Sequence, residues 1–90
     1  MQKQIIVHGK VQGVFFRDYT RKKAIDFGLK GYVKNMPDGT VKIVVDEPQD
    51  GLDDFIRWVE NNGSPSSRVD KVDVKGIVTD EKFNSFEIRH

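Results

Sequence analysis

Apolar residues alternate with polar ones at the start of the chain. Ile5, Val7 and Val11 share one parity over residues 3–11, which predicts a strand, and Gln12-Gly13-Val14 breaks it. From about Asp18 to Gly28 the spacing changes. Phe16, Tyr19 or Thr20, Ala24 and Phe27 recur three and four residues apart, as on one face of a helix, with Gly28 as the stop. Leu29 to Lys34 reads as a second strand. Met36-Pro37-Asp38-Gly39 is a reversal, with proline suited to the second turn position and glycine free to take positive φ. Val41, Ile43 and Val45 alternate along a third strand from Thr40 to Asp46, which Pro48 ends, so strands two and three form a hairpin. Asp50 is placed to cap a second helix carrying Leu52, Phe55, Ile56 and Val59 as its apolar stripe. Asn62-Gly63-Ser64-Pro65 stops that helix. Val72, Val74 and Val78 mark a fourth strand interrupted by Gly76, and Phe86 and Ile88 a short fifth.

The order β-α-β-β-α-β with a short extra strand predicts an α+β fold, the ferredoxin-like split βαβ sandwich. In it an antiparallel sheet carries two helices on one face and leaves the other partly solvated. Residues 1–90 read as a single domain, since no repeat, low-complexity tract or linker divides them.

Composition narrows the chemistry. The 37% apolar fraction, with six Phe, two Tyr and one Trp, argues against disorder. Cysteine is absent, which excludes a disulfide scaffold, thiol chemistry and Cys-ligated zinc and favours a cytoplasmic setting. No signal-like or membrane-length apolar run is present, so an unexported protein without membrane partners is expected. Net charge is only +1, but it is divided. Residues 1–45 hold nine Lys/Arg against three Asp/Glu, giving +6, and residues 46–90 hold six against eleven, giving −5. Such a split suits a local anion site in the first half better than a nucleic-acid footprint.

His8 lies on the parity opposite Ile5 and Val7 and reads as an exposed strand residue rather than a base. The serines at 64–67 have no histidine near them in sequence, and no paired histidines stand at ligand spacing, so covalent hydrolase chemistry and a structural metal lose their usual supports. What remains is Gly13-Val14-Phe15-Phe16-Arg17, a strand-to-helix loop. Its successive N–H groups, with the first turn of the following helix, can form a nest for a tetrahedral anion. Gly13 would admit the close backbone approach, and Arg17 would add a permanently charged planar fork. On spacing alone, an ordinary loop carrying a solvent arginine fits equally well.

Gly9-Lys10-Val11-Gln12-Gly13-Val14-Phe15-Phe16-Arg17 resembles the first signature of the acylphosphatase family. Gly31-Tyr32-Val33-Lys34-Asn35 followed by Gly39-Thr40-Val41 resembles the second, and Gly63-Ser64-Pro65 and Phe86-Glu87-Ile88 also suit the family. The resemblance implies a ferredoxin-like, cofactor-free, metal-free and monomeric enzyme. Its reaction would be hydrolysis of the carboxyl–phosphate anhydride of acyl phosphates to carboxylate and inorganic phosphate. It implies that Arg17 and the backbone of Gly13, Val14, Phe15, Phe16 and Arg17 bind the phosphoryl group, and that Asn35 positions the attacking water. An asparagine before a turn is common in any fold; its pairing with the first motif carries the catalytic assignment. Thr20 is a candidate support at the helix start.

Two positions depart from the family pattern. Phe15 stands where many members have glycine, which implies a side chain directed away from the nest. Glu47 stands where glycine is usual. Two rival readings share the fold. An RNA-recognition domain would show paired aromatic-rich strands, which are missing here. An accessory domain of a larger carbamoyl-transfer maturation protein would keep the same motifs. A shallow site gripping the phosphoryl end implies broad specificity, with benzoyl phosphate and acetyl phosphate both reacting.

Overall fold

The computed structural model describes residues 2–46, 50–61 and 63–90. The elements run β1 (Gln2–Lys10), α1 (Phe16–Asp26), β2 (Gly31–Asn35), β3 (Val41–Asp46), α2 (Leu52–Glu60), β4 (Arg68–Ile77) and β5 (Phe86–Arg89). They form one five-stranded sheet in the order β4-β1-β3-β2-β5. The first four strands are antiparallel, as the ferredoxin-like reading requires. The short extra strand β5 pairs in parallel with β2, from Gly31 opposite Phe86 to Lys34 opposite Arg89, so the sheet is mixed at that edge.

The period-two residues do what their spacing demands. Ile5, Val7, Val33, Val41, Ile43 and Val45 are fully buried, and they join Phe16, Ala24, Phe55 and Val59 of the helices in the main core. The residues of opposite parity form a smaller cluster of Tyr32, Val44 and Phe83, with Ile77 packed beside it. Part of the second face is therefore covered by the segment between β4 and β5.

The structure refines some local readings and changes others. Helix α1 begins at Phe16, two residues before the expected start, because Phe15 at φ 60° supplies the turn that precedes it. Thr20, not Tyr19, takes the buried position, and Tyr19 is 43% exposed. At the helix end, Leu29 N donates to Ala24 O at 2.9 Å and Gly28 N to Ile25 O at 3.0 Å, the paired bonds of a Schellman stop. Strand β2 starts at Gly31 rather than Leu29, since Leu29 and Lys30 belong to that stop and the turn out of it.

Asp50 does not cap α2. Gly51 is the capping residue, in the left-handed region at φ 85°, and no side chain caps the helix. Val74 is exposed, because edge strand β4 has a neighbour on one side only, and Val78 lies past its end. A register shift between His8 and Gly9 leaves Asp70 unmatched, so that Val69 and Val72 both turn toward the core. The expected roles of Glu47, Pro48 and Asn62 fall outside the described residues.

Candidate active site

The β1–α1 connection is shaped by two residues at positive φ, Gly13 at 74° and Phe15 at 60°. A Cβ at Gly13 would touch nothing within 4 Å, so glycine is required there by the backbone angle and not by crowding within the chain. Between these two, Val14 packs against the main core, and after them Phe16 is buried at 1% exposure. The Phe16 ring stacks on Trp58 with centroids 6.3 Å apart. It also lies so close to Gly63 that a Cβ there would fall 2.5 Å from Phe16 Cε1. Side chains thus anchor the loop from behind.

The first intrahelical bond of α1 at this end runs from Tyr19 N to Phe15 O at 3.1 Å, and no side chain caps the helix. The N–H groups of the first turn are therefore free of intrahelical partners. Phe16, Arg17 and Asp18 border a cavity of about 420 Å³ that also has Gly13 in its wall.

Asn35, the last residue of β2, faces the same cavity. Its Oδ1 is buried and accepts no hydrogen bond from the described residues. Arg17 Nη1 lies 3.2 Å from His90 Nδ1 and 3.5 Å from the carbonyl oxygen of Arg89. Ile88 and His90 complete that side of the cavity. The intervening Arg89 turns to the other face of the sheet. There its guanidinium sits 4.0 Å over the Tyr32 ring and pairs with Glu81 and Glu87. Those partners, the hydrogen bond to Glu81 foremost, raise the proton affinity of Arg89 further, while Arg89 holds the Glu81 carboxyl below its usual range.

Sequence reasoning brought Gly13, Phe15, Phe16, Arg17 and Asn35 to one place, and all five border the cavity. Val14 packs inward instead. Thr20 is fully buried, and its Oγ1 has no hydrogen-bond partner among the described residues. Phe15 is 74% exposed and forms part of the cavity wall.

Two participants were missed. Gln12, read only as a strand breaker, donates from Nε2 to the carbonyls of Met36 at 2.9 Å and Thr40 at 2.8 Å, tying the loop to the hairpin that carries Asn35. His90 carried no signal beyond being a histidine. Among the described residues, no group of three or more His, Cys, Asp or Glu side chains could hold a metal ion.

An uncapped helix start, a positive-φ loop and an arginine around one cavity are groups that suit a phosphoryl or similar anion. The Acylphosphatase family pattern matches residues 3–88. An acylphosphatase of Mannheimia succiniciproducens is 41% identical over 90 residues, covering all of this chain and 99% of that one. The crystal structure of acylphosphatase from Bacillus subtilis superposes with a TM-score of 0.89 at 39% identity, covering 99% of this chain and 98% of that one. A similar unit occurs within the HypF structure of T. kodakarensis, at a TM-score of 0.87 and 31% identity, where it covers 12% of the larger chain. The chain belongs to the acylphosphatase family, whose activity is the hydrolysis of acyl phosphates. No helix among the described residues is long and apolar enough to cross a membrane.

Proposed function

We propose that residues 1–90 act as a single, monomeric, cytoplasmic acylphosphatase unit in which Arg17 and the backbone amides of residues 13–17 hold the phosphoryl group and Asn35 directs a water at phosphorus. The observation that carries this reading is the buried Asn35 Oδ1. It is an acceptor without a partner among the described residues, set in the wall of the cavity bordered by Gly13 and Arg17. An amide oxygen cannot act as a strong base at neutral pH, but it can accept one hydrogen of a water and fix the direction of its lone pair. Its contribution is alignment.

In the reaction the water oxygen forms a bond to phosphorus while the phosphorus–oxygen bond to the acyl group breaks. The electron pair leaves with the carboxylate. The proton lost by the water passes to an oxygen of the phosphoryl group, giving inorganic phosphate. Charge spreads over the equatorial oxygens as this happens, and the guanidinium of Arg17 and the free N–H groups of the first turn of α1 oppose it. The carboxylate is a good leaving group and needs no separate acid.

The test is benzoyl phosphate hydrolysis in ¹⁸O-labelled water with EDTA present, for wild type, Arg17→Ala and Asn35→Ala. Label in phosphate and none in benzoate is expected from wild type. Asn35→Ala should lose about 10²–10³ in rate and still bind inorganic phosphate, and Arg17→Ala should lose both. Three folded proteins that all match the uncatalysed rate would sink the proposal.

A further inference from the structure

We infer that Glu81, on the sheet face away from the cavity, is a positioning residue for Arg17: by holding Arg89 it fixes the end of β5 that meets the Arg17 guanidinium. The inference rests on the reading of Arg17 as the phosphate ligand and adds to it what sets the direction of that side chain.

The first observation is how little else holds Arg17. Among the described residues its hydrogen bonds go to His90 Nδ1 at 3.2 Å and to the Arg89 carbonyl oxygen at 3.5 Å, and no carboxylate pairs with it. A guanidinium donates and cannot accept, so the imidazole contributes the lone pair of Nδ1. The aim of the fork therefore depends on two successive residues at the end of β5.

The second is the weakness of that end. Strand β5 has four residues and a neighbour, β2, on one side only. Its ladder stops at Lys34 opposite Arg89, one residue short of His90. Strand ends held so lightly open readily. The ladder alone does not fix Arg89, nor His90 beyond it.

The third is what does fix them. Successive side chains of a strand point to opposite faces, so Ile88 and His90 border the cavity while Arg89 lies across the sheet from it. There the Arg89 guanidinium sits 4.0 Å from the centre of the Tyr32 ring and 5.7 Å from that of Phe83. Both of its terminal nitrogens meet Glu81, Nη1 donating to Oε1 at 3.2 Å and Nη2 to Oε2. That two-pronged geometry restricts orientation as well as pairing charge. Glu81 is itself tied to β1, because its carbonyl oxygen accepts from Nε2 of the buried Gln2 at 2.8 Å. Glu87 Oε1 also accepts from Arg89 Nε, at 2.9 Å, but Glu87 belongs to β5 and cannot tie that strand to the rest of the sheet. Glu81 is thus the link by which β1 holds the end of β5, on the face opposite the cavity.

The experiment measures inorganic phosphate binding by titration calorimetry, kcat/KM for acetyl phosphate and the urea midpoint. The proteins are wild type, Arg17→Ala, Glu81→Ala, Glu81→Gln, Glu87→Ala, His90→Ala and the double variant of Glu81→Ala with His90→Ala, each checked for folding by circular dichroism. Glu81→Ala should weaken phosphate binding about fivefold, the scale of one misplaced hydrogen bond, and lower kcat/KM by at least as much. Glu81→Gln should act in the same direction. Glu87→Ala removes the same charge from beside Arg89 and should stay within about twofold of wild type. His90→Ala should weaken binding at least as much as Glu81→Ala, and in its background the loss of Glu81 should add less than about twofold, because the two act in series. A lowered urea midpoint with unchanged phosphate affinity would make Glu81 a structural residue only and overturn the inference. So would equal losses from Glu81→Ala and Glu87→Ala, or losses that multiply in the double variant. Phosphate affinity untouched by Arg17→Ala would overturn the functional reading as well, because Glu81 would then have no phosphate ligand to position.

Discussion

Gln12 Nε2 donates to the Thr40 carbonyl oxygen at 2.8 Å, joining the loop after β1 to the turn before β3 across 28 positions of sequence. The same nitrogen reaches the Met36 carbonyl at 2.9 Å. Asn35 sits next to Met36, and Gly13 next to Gln12. One amide group thus adds a direct link between the proposed phosphate cradle and the proposed water-positioning residue, beside the pairing of β1 and β2 with β3.

Gln12→Leu removes both bonds and leaves two carbonyl groups without that partner. Stability should fall by about 1–3 kcal/mol, read as a shift in urea midpoint at constant m-value. The rate should fall further than phosphate affinity. Each half of the site stays intact, but their relative placement loosens, and a small misplacement is costly to an aligned attack. Equal losses in kcat and phosphate binding would assign Gln12 to the cradle alone.

Arg17→Lys separates charge from shape. Lysine keeps the positive charge but replaces the planar fork with a compact ammonium on a flexible stem. Phosphate affinity should drop by about tenfold and kcat/KM by about a hundredfold, short of the loss for Arg17→Ala. A lysine variant equal to wild type would mean that Arg17 acts as a point charge and that its geometry is irrelevant.

The repeating elements were legible because burial enforces period. Ile5 and Val7 had to share a face of β1, and Phe55 and Val59 a face of α2. The long-range relationships were not. The Gln12 bonds depend on where two turns meet in space, and local spacing carries no trace of that. The start of α1 was misplaced because a phenylalanine at positive φ runs against propensity, and no hydrophobic pattern encodes it. In β4, the register shift opposite His8 and Gly9 puts Val69 on the same side as Val72, which period two does not predict. Arg17 and Asn35 were legible through their motifs, whereas the contact between Arg17 and His90 depends on the parallel docking of β5 against β2.

The turn beside Asn35 carries a pH-sensitive element. Asp38 Oδ1 accepts hydrogen bonds from Thr40 Oγ1 at 2.6 Å and Thr40 N at 3.0 Å. These bonds, the hydroxyl first, hold the Asp38 carboxyl below its ordinary value of 3.8. A depressed carboxyl stabilises the fold through its charged form. That contribution is complete above the unfolded value and is lost as pH falls through the folded one. The urea midpoint of wild type should therefore decline from pH 5 toward pH 3 more steeply than that of Asp38→Asn, whose amide oxygen still accepts both bonds but does not titrate there. Parallel curves for the two proteins would show that the turn does not contribute to acid sensitivity.

Thr20 tests whether a conspicuous polar residue near the helix start supports the chemistry. It is fully buried in α1, and its Oγ1 has no hydrogen-bond partner among the described residues. A buried hydroxyl without a partner costs stability, and valine has nearly its shape with a methyl in the hydroxyl's place. If the hydroxyl is only a packing element, Thr20→Val should hold or raise stability by up to about 1 kcal/mol, with kcat/KM within twofold of wild type. If the hydroxyl supports the cradle, the same substitution should lower kcat about tenfold while the urea midpoint stays put, because a small misplacement of aligned groups costs rate well before it costs stability. The two readings separate on kcat against stability in a single variant, and the unpartnered Oγ1 favours the first.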